Sequence, residues 1–101
     1  RGSPYWENGS YVPESIKTVI ITEGESIGSY AFYGCGNIEN ITVPASVREF
    51  GTQAFYNCAS LTSITFLGTK EQWNSINKLS EWDRGTGEYT VHCTDGDIAK
   101  Q

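Results

Sequence analysis

The only histidine, His92, is the first residue to consider for catalysis. A histidine that acts as a general base needs a nucleophile within hydrogen-bond reach and a third group that orients its ring. The sequence identifies neither partner for His92. Neither a nucleophile elbow nor a phosphate-binding glycine loop is expected elsewhere in the chain. We therefore expect no enzymatic activity and no catalytic residues.

His92, Cys93, Asp95 and Asp97 place four potential metal ligands close together in the sequence. Adjacent residues of a strand point to opposite sides of the sheet, so His92 and Cys93 are not expected to chelate one zinc ion. The Asp95–Asp97 segment lacks the series of oxygen ligands and the terminal glutamate of a calcium loop, and its glycine favours a turn. We expect no metal site and no cofactor.

The chain has three cysteines, an odd number. Cys35 and Cys58 occupy the same position in two copies of a repeat, which places them about 5 Å apart if the copies stack like neighbouring strands. Side chains that leave two stacked segments in parallel seldom reach the torsion of a disulfide. We expect all three, including Cys93, to be reduced thiols that pack as small apolar groups.

The elements that position these residues come from a unit of about 23 residues that occurs twice between Ile27 and Phe66. Cys35 and Cys58 give its length, since 58 − 35 = 23. The two copies are Ile27-Gly28-Ser29-Tyr30-Ala31-Phe32-Tyr33-Gly34-Cys35 and Phe50-Gly51-Thr52-Gln53-Ala54-Phe55-Tyr56-Asn57-Cys58. The spacing Leu-x-x-Leu-x-Leu, typical of leucine-rich repeats, occurs three times. Its copies are Ile16-x-x-Val19-x-Ile21, Ile38-x-x-Ile41-x-Val43 and Leu61-x-x-Ile64-x-Phe66.

The recurring residue types predict how each coil is built. Gly28 and Gly51 favour a corner where φ exceeds zero. The spacing of Phe32 and Cys35 predicts one short helical turn that directs both side chains into the interior. Phe32 and Phe55 should then be buried and stacked. Strands near residues 19–21, 41–43 and 64–66 are expected to pair in parallel.

The pattern divides the chain into three parts. Beyond Phe66 the repeat breaks, and Thr69 with Gln72 forms a capping box that predicts the start of a helix. A last strand follows, then a turn at residues 94–97 and a loose end. The predicted parts are an N-terminal capping segment or repeat remnant (1–15), leucine-rich repeats (16–67) and a C-terminal cap (68–101) with a helix at about 69–78 and a strand at about 89–93.

The repeat Ile-Gly-x-x-Ala-Phe-x-x-Cys-x-x-Leu-x-x-Ile-x-(Ile/Val)-Pro resembles that of the BspA-like leucine-rich repeat proteins of bacterial surfaces. The resemblance covers residues 16–66, and the tail around Trp73 and residues 90–96 is similar to the closing segment of such proteins. It implies a right-handed leucine-rich repeat solenoid of about three coils. It also implies a cell-surface or secreted location and adhesion to other proteins, and it supplies no catalytic residues.

Charge limits the partners. The formal net charge is −5 and the basic residues are scattered, so nucleic acid and anionic membranes are poor partners. No apolar run approaches the ~20 residues of a membrane-spanning helix. Because the first residue is not methionine, we expect a fragment of a longer chain.

The outward positions of the predicted strands give the candidate binding residues. They form one column of Thr18, Asn40 and Ser63 and a second of Ile20, Thr42 and Thr65, with Tyr33 and Tyr56 as aromatic anchors beside them. The positions are uncharged and mostly small and polar, which suits an extracellular protein or glycan. The alternative is a structural spacer, in which the coils only extend a larger surface protein.

Overall fold

The computed structural model describes residues 16–100, so the predicted N-terminal capping segment 1–15 lies outside the described residues. Short strands from successive coils form two parallel sheets, as the repeat predicts. In chain order the elements are β1 (Thr18–Ile20), β2 (Ser26–Ile27), β3 (Asn40–Val43), β4 (Glu49–Phe50), β5 (Ser63–Phe66), α1 (Lys70–Ser75), β6 (Asn77–Lys78), β7 (Thr90–Cys93) and β8 (Gly96–Ala99).

The larger sheet, called the long sheet below, has the strand order β1-β3-β5-β7-β8. Its first four strands pair in parallel, which confirms the predicted pairing, although β1, β3 and β5 each begin one residue earlier than expected. Val19, Ile41, Ile64 and Val91 share one register level and pack in or against the core. The alternation of apolar and polar residues therefore sets which face of the long sheet is buried.

The smaller sheet, called the short sheet below, has the order β2-β4-β6 and lies at another side of each coil. Ile27 and Phe50 pair in its parallel register and are both fully buried. The third position of this level is Lys78, which is half-buried. A cation thus occupies the place that apolar side chains hold in the two preceding coils.

A third hydrogen-bonded stack, called the turn stack below, joins the segments 28–36, 51–58 and 80–85. Phe32 N donates to Ala54 O at 2.7 Å, and one coil later Phe55 N donates to Trp82 O at 2.7 Å. These segments are turns rather than the predicted helical turn, because each contains residues with positive φ. The positive values are at Tyr30 (62°), Gln53 (54°) and Glu81 (57°), and at Gly34 (74°), Asn57 (60°) and Gly85 (81°).

The prediction of positive φ at Gly28 and Gly51 is wrong. Gly51 is required for close packing instead: a Cβ at this residue would lie 2.7 Å from the carbonyl carbon of Gly28 and would also overlap the backbone of Ser29. The backbones of two coils therefore approach each other at Gly51 with no room for a side chain. The repeat predicts a glycine at this position, but it does not show whether the glycine is needed for a positive φ or for its lack of a side chain.

Stacked aromatic rings form the centre of the core. The Phe32 and Phe55 rings are buried with centroids 5.6 Å apart and planes 9° apart, as predicted. Phe50 stacks on Trp82 at 4.9 Å, and Trp73 meets the Phe50 ring edge-to-face at 5.4 Å. The aromatic packing continues from the repeats into the C-terminal part of the chain.

The capping box begins α1 as predicted. Gln72 N donates to Thr69 Oγ1 at 3.2 Å, and Thr69 N donates to Gln72 Oε1 at 2.8 Å. The helix ends at Ser75 rather than near residue 78, because Asn77–Lys78 pair with β4 in the short sheet. The extended backbone of Ile76 makes this change of direction.

The C-terminal residues 96–99 are not loose. They form β8, which pairs antiparallel with β7 in the register Thr90 to Ala99 and Cys93 to Gly96. The predicted strand 89–93 begins at Thr90, and the predicted turn shortens to Thr94 and Asp95. Pairing satisfies backbone groups of β7 that would otherwise be an open sheet edge. The division of the chain at residues 15 and 67 remains a prediction.

The three cysteines are free thiols in the structure. Cys58 is fully buried and its Sγ donates to Phe32 O at 3.2 Å, whereas Cys35 and Cys93 are half-buried. Burial raises the pKa of Cys58 to about 12 and also raises the pKa values of Cys35 and Cys93. The reactive thiolate form of Cys58 is therefore scarce at neutral pH.

Removing a stacked core ring should lower the free energy of unfolding substantially. We expect Phe55→Ala or Phe32→Ala to cost about 3–5 kcal/mol, measured by denaturant unfolding, because each change leaves a cavity in a packed core. Leu67→Ala, at a side chain that is 53% exposed, is the control and should cost less than about 0.5 kcal/mol. Unchanged stability of both phenylalanine variants would mean that the core assignment is wrong.

The two repeat glycines should differ in their tolerance of a methyl group. Gly51→Ala should destabilise the fold by about 1–3 kcal/mol because the added Cβ overlaps the backbone of the preceding coil. At Gly28 a Cβ meets no described atom within 4 Å, so Gly28→Ala should change stability by less than about 1 kcal/mol. Thermal melts of the two variants test the contrast, and equal effects would contradict it.

Thiol titration should distinguish Cys58 from the other cysteines. The denatured chain should yield three free thiols without reductant, and a lower count would indicate a disulfide. In the native chain Cys58 should react far more slowly than Cys35 and Cys93, with the slow phase absent in Cys58→Ala. Each rise of one pH unit below pH 12 should speed that slow phase about tenfold, because the thiolate fraction grows tenfold.

Candidate binding face

The outward positions of the long sheet form two columns that cross its four parallel strands. The register places Thr18, Asn40, Ser63 and Thr90 at one level, and Ile20, Thr42, Thr65 and His92 at the next but one. Their inward neighbours belong to the core or pack against it. The structure therefore brings together all six strand residues that the sequence predicts, and we call the eight residues of the two columns the binding face.

The binding face combines hydroxyl, amide and methyl groups. Ile20 is 65% exposed and Asn40 is exposed, whereas Thr42, Ser63 and Thr65 are half-buried. Threonine hydroxyls both donate and accept hydrogen bonds, and the threonine methyl adds apolar contact. No acidic or basic side chain occupies the columns in β1, β3 and β5. The surface offers short-range polar contacts rather than a strong electrostatic field.

Sequence reasoning did not extend the columns to Thr90 and His92. Asn40 pairs with Ser63 at an offset of 63 − 40 = 23 residues, but Ser63 pairs with Thr90 at an offset of 90 − 63 = 27 residues. The cap segment that contains α1 and β6 lengthens the last coil. The alternation Thr-Val-His-Cys could have indicated this extension. It places the apolar Val91 between the polar Thr90 and His92, which predicts that the two polar side chains point outward.

His92 ends its column beside an acidic residue. Its Nδ1 lies 3.0 Å from Asp97 Oδ1, an exposed contact across the β7–β8 pair. The neighbouring Cys93 packs against the core, so the two side chains do not converge. In residues 16–100, no three His, Cys, Asp or Glu side chains group closely enough to hold a metal ion.

The letters Gly-x-Ser-x-Gly do occur, at residues 24–28, although no nucleophile elbow is expected. In a hydrolase the serine of this pattern lies on a sharp turn from a strand into a helix. Here Ser26 lies within β2, opposite Glu49 of β4, and the next element in the chain is another strand. The serine also belongs to the short sheet, whereas His92 belongs to the long sheet. The arrangement is not that of a nucleophile elbow.

Tyr33 and Tyr56 belong to the turn stack and not to the columns of the long sheet. Their rings stack with centroids 4.9 Å apart and planes 6° apart, and Tyr30 meets Tyr33 edge-to-face at 5.9 Å. Tyr30 and Tyr33 are each 49% exposed. The tyrosines therefore form a second outward cluster, separate in the backbone hydrogen bonding from the binding face.

In the third coil, charged residues replace the tyrosines of the turn stack. Arg84 Nη1 contacts Glu81 Oε2 at 2.7 Å, and Gln53 Nε2 donates to Glu81 Oε1 at 2.6 Å. The Gln53 hydrogen bond, followed by that of Arg84, lowers the pKa of Glu81. These partners favour the charged form of the Glu81 carboxylate. The third segment of the turn stack therefore carries an ion pair where the first two carry stacked tyrosines.

The part of the chain that the structure describes contains no helix long and apolar enough to cross a membrane. Searches of curated proteins and of solved structures give no match. A family model described as the BspA type leucine-rich repeat region, in six copies, matches residues 7–80. The match spans most of the chain and includes strands β1 to β6, so the chain belongs to the BspA-type leucine-rich repeat family.

Proposed function

We propose that this chain is a non-catalytic repeat module that binds an extracellular protein or glycan through the binding face of the long sheet. The observation that carries the proposal is the register: Thr42 and Thr65 pair directly, with Ile20 and His92 on either side. Equivalent positions in successive coils thus make one continuous surface. A solenoid presents such a surface because its interior is filled by its own side chains.

The chemistry of the face favours a partner that is recognised by short-range contacts. Thr42 and Thr65 supply hydroxyl groups at mid-face, and Asn40 supplies an amide that both donates and accepts. The exposed Ile20 adds apolar area at one end. A polar protein surface or the hydroxyl groups of a glycan would satisfy these groups, whereas a polyanion would find no matching row of cations.

The arrangement of the reactive residues supports a non-catalytic role. His92 contacts Asp97, and Ser26 lies in the other sheet. A general base must come within about 3 Å of the proton that it removes. The family is typically associated with bacterial surfaces, which supports a cell-surface or secreted location for this protein.

The test places two bulky cations on the binding face. Thr42→Arg with Thr65→Arg should weaken binding to a captured partner by at least about tenfold, or about 1.4 kcal/mol, because clashes and unpaired charges oppose docking. The partner would be selected with the unmodified chain from extracellular matrix proteins and a glycan array. Isothermal titration then gives the affinities of both forms.

Ala59→Arg with Ser80→Arg is the matched control, since both residues are exposed and lie outside the long sheet. It adds the same charge and should bind normally, and thermal melts should show that both variants are folded at the temperature of the titration. Binding should also weaken little as salt rises, because the face carries few charges. Unchanged affinity of the Thr42/Thr65 variant would overturn the proposal and favour the structural spacer.

A further inference from the structure

A pocket of about 220 Å³ lies at the C-terminal end of the core, away from the binding face. Its walls come from α1, the short sheet, the turn stack and the β7–β8 pair. Its volume is below the range of about 300–1,000 Å³ typical of sites for drug-sized ligands, so it suits one small ring. The principal lining residues are Trp73, Lys78, Trp82, Asp83, Tyr89 and Ile98.

The pocket exists because the third coil departs from the repeat. The hydrogen bonds Phe32 N to Ala54 O and Phe55 N to Trp82 O place Trp82 level with Ala54, and therefore Asp83 level with Phe55. Lys78 similarly replaces the apolar residue at the level of Phe50. Two opposite charges thus stand where the preceding coils have buried apolar side chains.

Local contacts hold both charged groups in place. Lys78 Nζ lies 4.9 Å from the centre of the Trp73 ring and donates to Trp73 O at 2.7 Å and to Ile76 O at 3.4 Å. Tyr89 Oη donates to Asp83 Oδ2 at 2.7 Å. Burial lowers the pKa of Lys78, while the charge of Asp83 acts in the opposite direction. The two groups are near each other, yet they form no ion pair within the described part of the chain.

Each group keeps hydrogen-bonding capacity. An ammonium group has three donors, and the two carbonyl contacts of Lys78 use two of them. Among residues 16–100, Asp83 Oδ1 has no hydrogen-bond partner. The pocket therefore presents one donor and one acceptor in an aromatic setting, a combination that one hydroxyl group or two adjacent hydroxyl groups would satisfy.

We propose that this pocket binds a single neutral sugar ring, such as the terminal pyranose of a glycan. The apolar C–H face of the ring would contact the half-buried indole of Trp82, since Trp73 and Tyr89 are each only 4% exposed, and its hydroxyl groups would meet Lys78 and Asp83. A purely apolar ligand would leave both charged groups unsatisfied, and for an anion the attraction of Lys78 would be offset by the repulsion of Asp83. A small zwitterion would lose the hydration of two charges on entering the pocket. One free donor and one free acceptor compensate poorly for that cost.

The experiment titrates the complete chain with free glucose, galactose, mannose, fucose and N-acetylglucosamine, one at a time. Binding is followed by the backbone and tryptophan indole signals in nitrogen–proton correlation spectra. We expect at least one sugar to bind, with a Kd on the order of 1 mM, and to shift the indole signals of Trp73 and Trp82. Glycine and inorganic phosphate are the zwitterionic and anionic probes, and neither should bind.

Two nearly isosteric variants test the polar pair. Asp83→Asn keeps the volume of the side chain and removes its charge, and Lys78→Met keeps its length and removes the donor. Each should weaken sugar binding about tenfold, the effect of losing a charge-assisted hydrogen bond. The matched controls are Asp97→Asn and Lys17→Met, which change exposed residues outside the pocket and should bind the sugar normally.

The result is independent of the binding face. The Thr42→Arg/Thr65→Arg variant should keep full sugar binding, so failure of one site would not be mistaken for failure of the other. Correlation spectra of each variant report whether the fold is intact. The proposal would be overturned if no sugar binds to the folded parent chain, if both pocket variants bind as well as the parent, or if glycine or phosphate binds there instead.

Discussion

The stacking of each coil on the next is the constraint on which the rest of this structure depends. A single coil cannot bury its own apolar edge, so every coil needs a neighbour in register. Three sets of inter-coil hydrogen bonds hold that register, one each in the long sheet, the short sheet and the turn stack. Phe32 on Phe55 fills the space between them, and Gly51 allows the backbones to approach.

This constraint restricts where the chain can recognise another molecule. Where the repeat is regular, the interior is filled by Ile41, Ile64 and their neighbours, and only outward residues are available. The row of outward residues follows directly from the register, which pairs Thr42 with Thr65. Where the repeat is irregular, at Lys78 and Asp83, the core is incomplete and polar groups meet a cavity. The regular and irregular parts of the solenoid thus favour two different kinds of contact.

The same constraint explains the C-terminal segment. A parallel stack has an open edge at its last coil, and β8 covers it by pairing antiparallel with β7. Lys78 extends over the Trp73 ring and its ammonium group reaches the carbonyls at the end of α1, where a helix favours a cation. The aromatic contacts of Trp73 and Trp82 then join this segment to Phe50 in the repeats.

The sequence by itself determined the repeat, the family, the parallel strands, the stacked phenylalanines and the outward positions of six strand residues. Those features follow from periodicity, which is a local property of the residues. Only the tertiary structure decided the offset that brings Thr90 and His92 into the columns, the separate placement of Tyr33 and Tyr56, and the strand β8. The reason is that each depends on which backbone atoms of distant segments meet. The same holds for Gly51. The neighbouring coil leaves no room for a side chain there, whereas the φ of Gly51 itself would allow one.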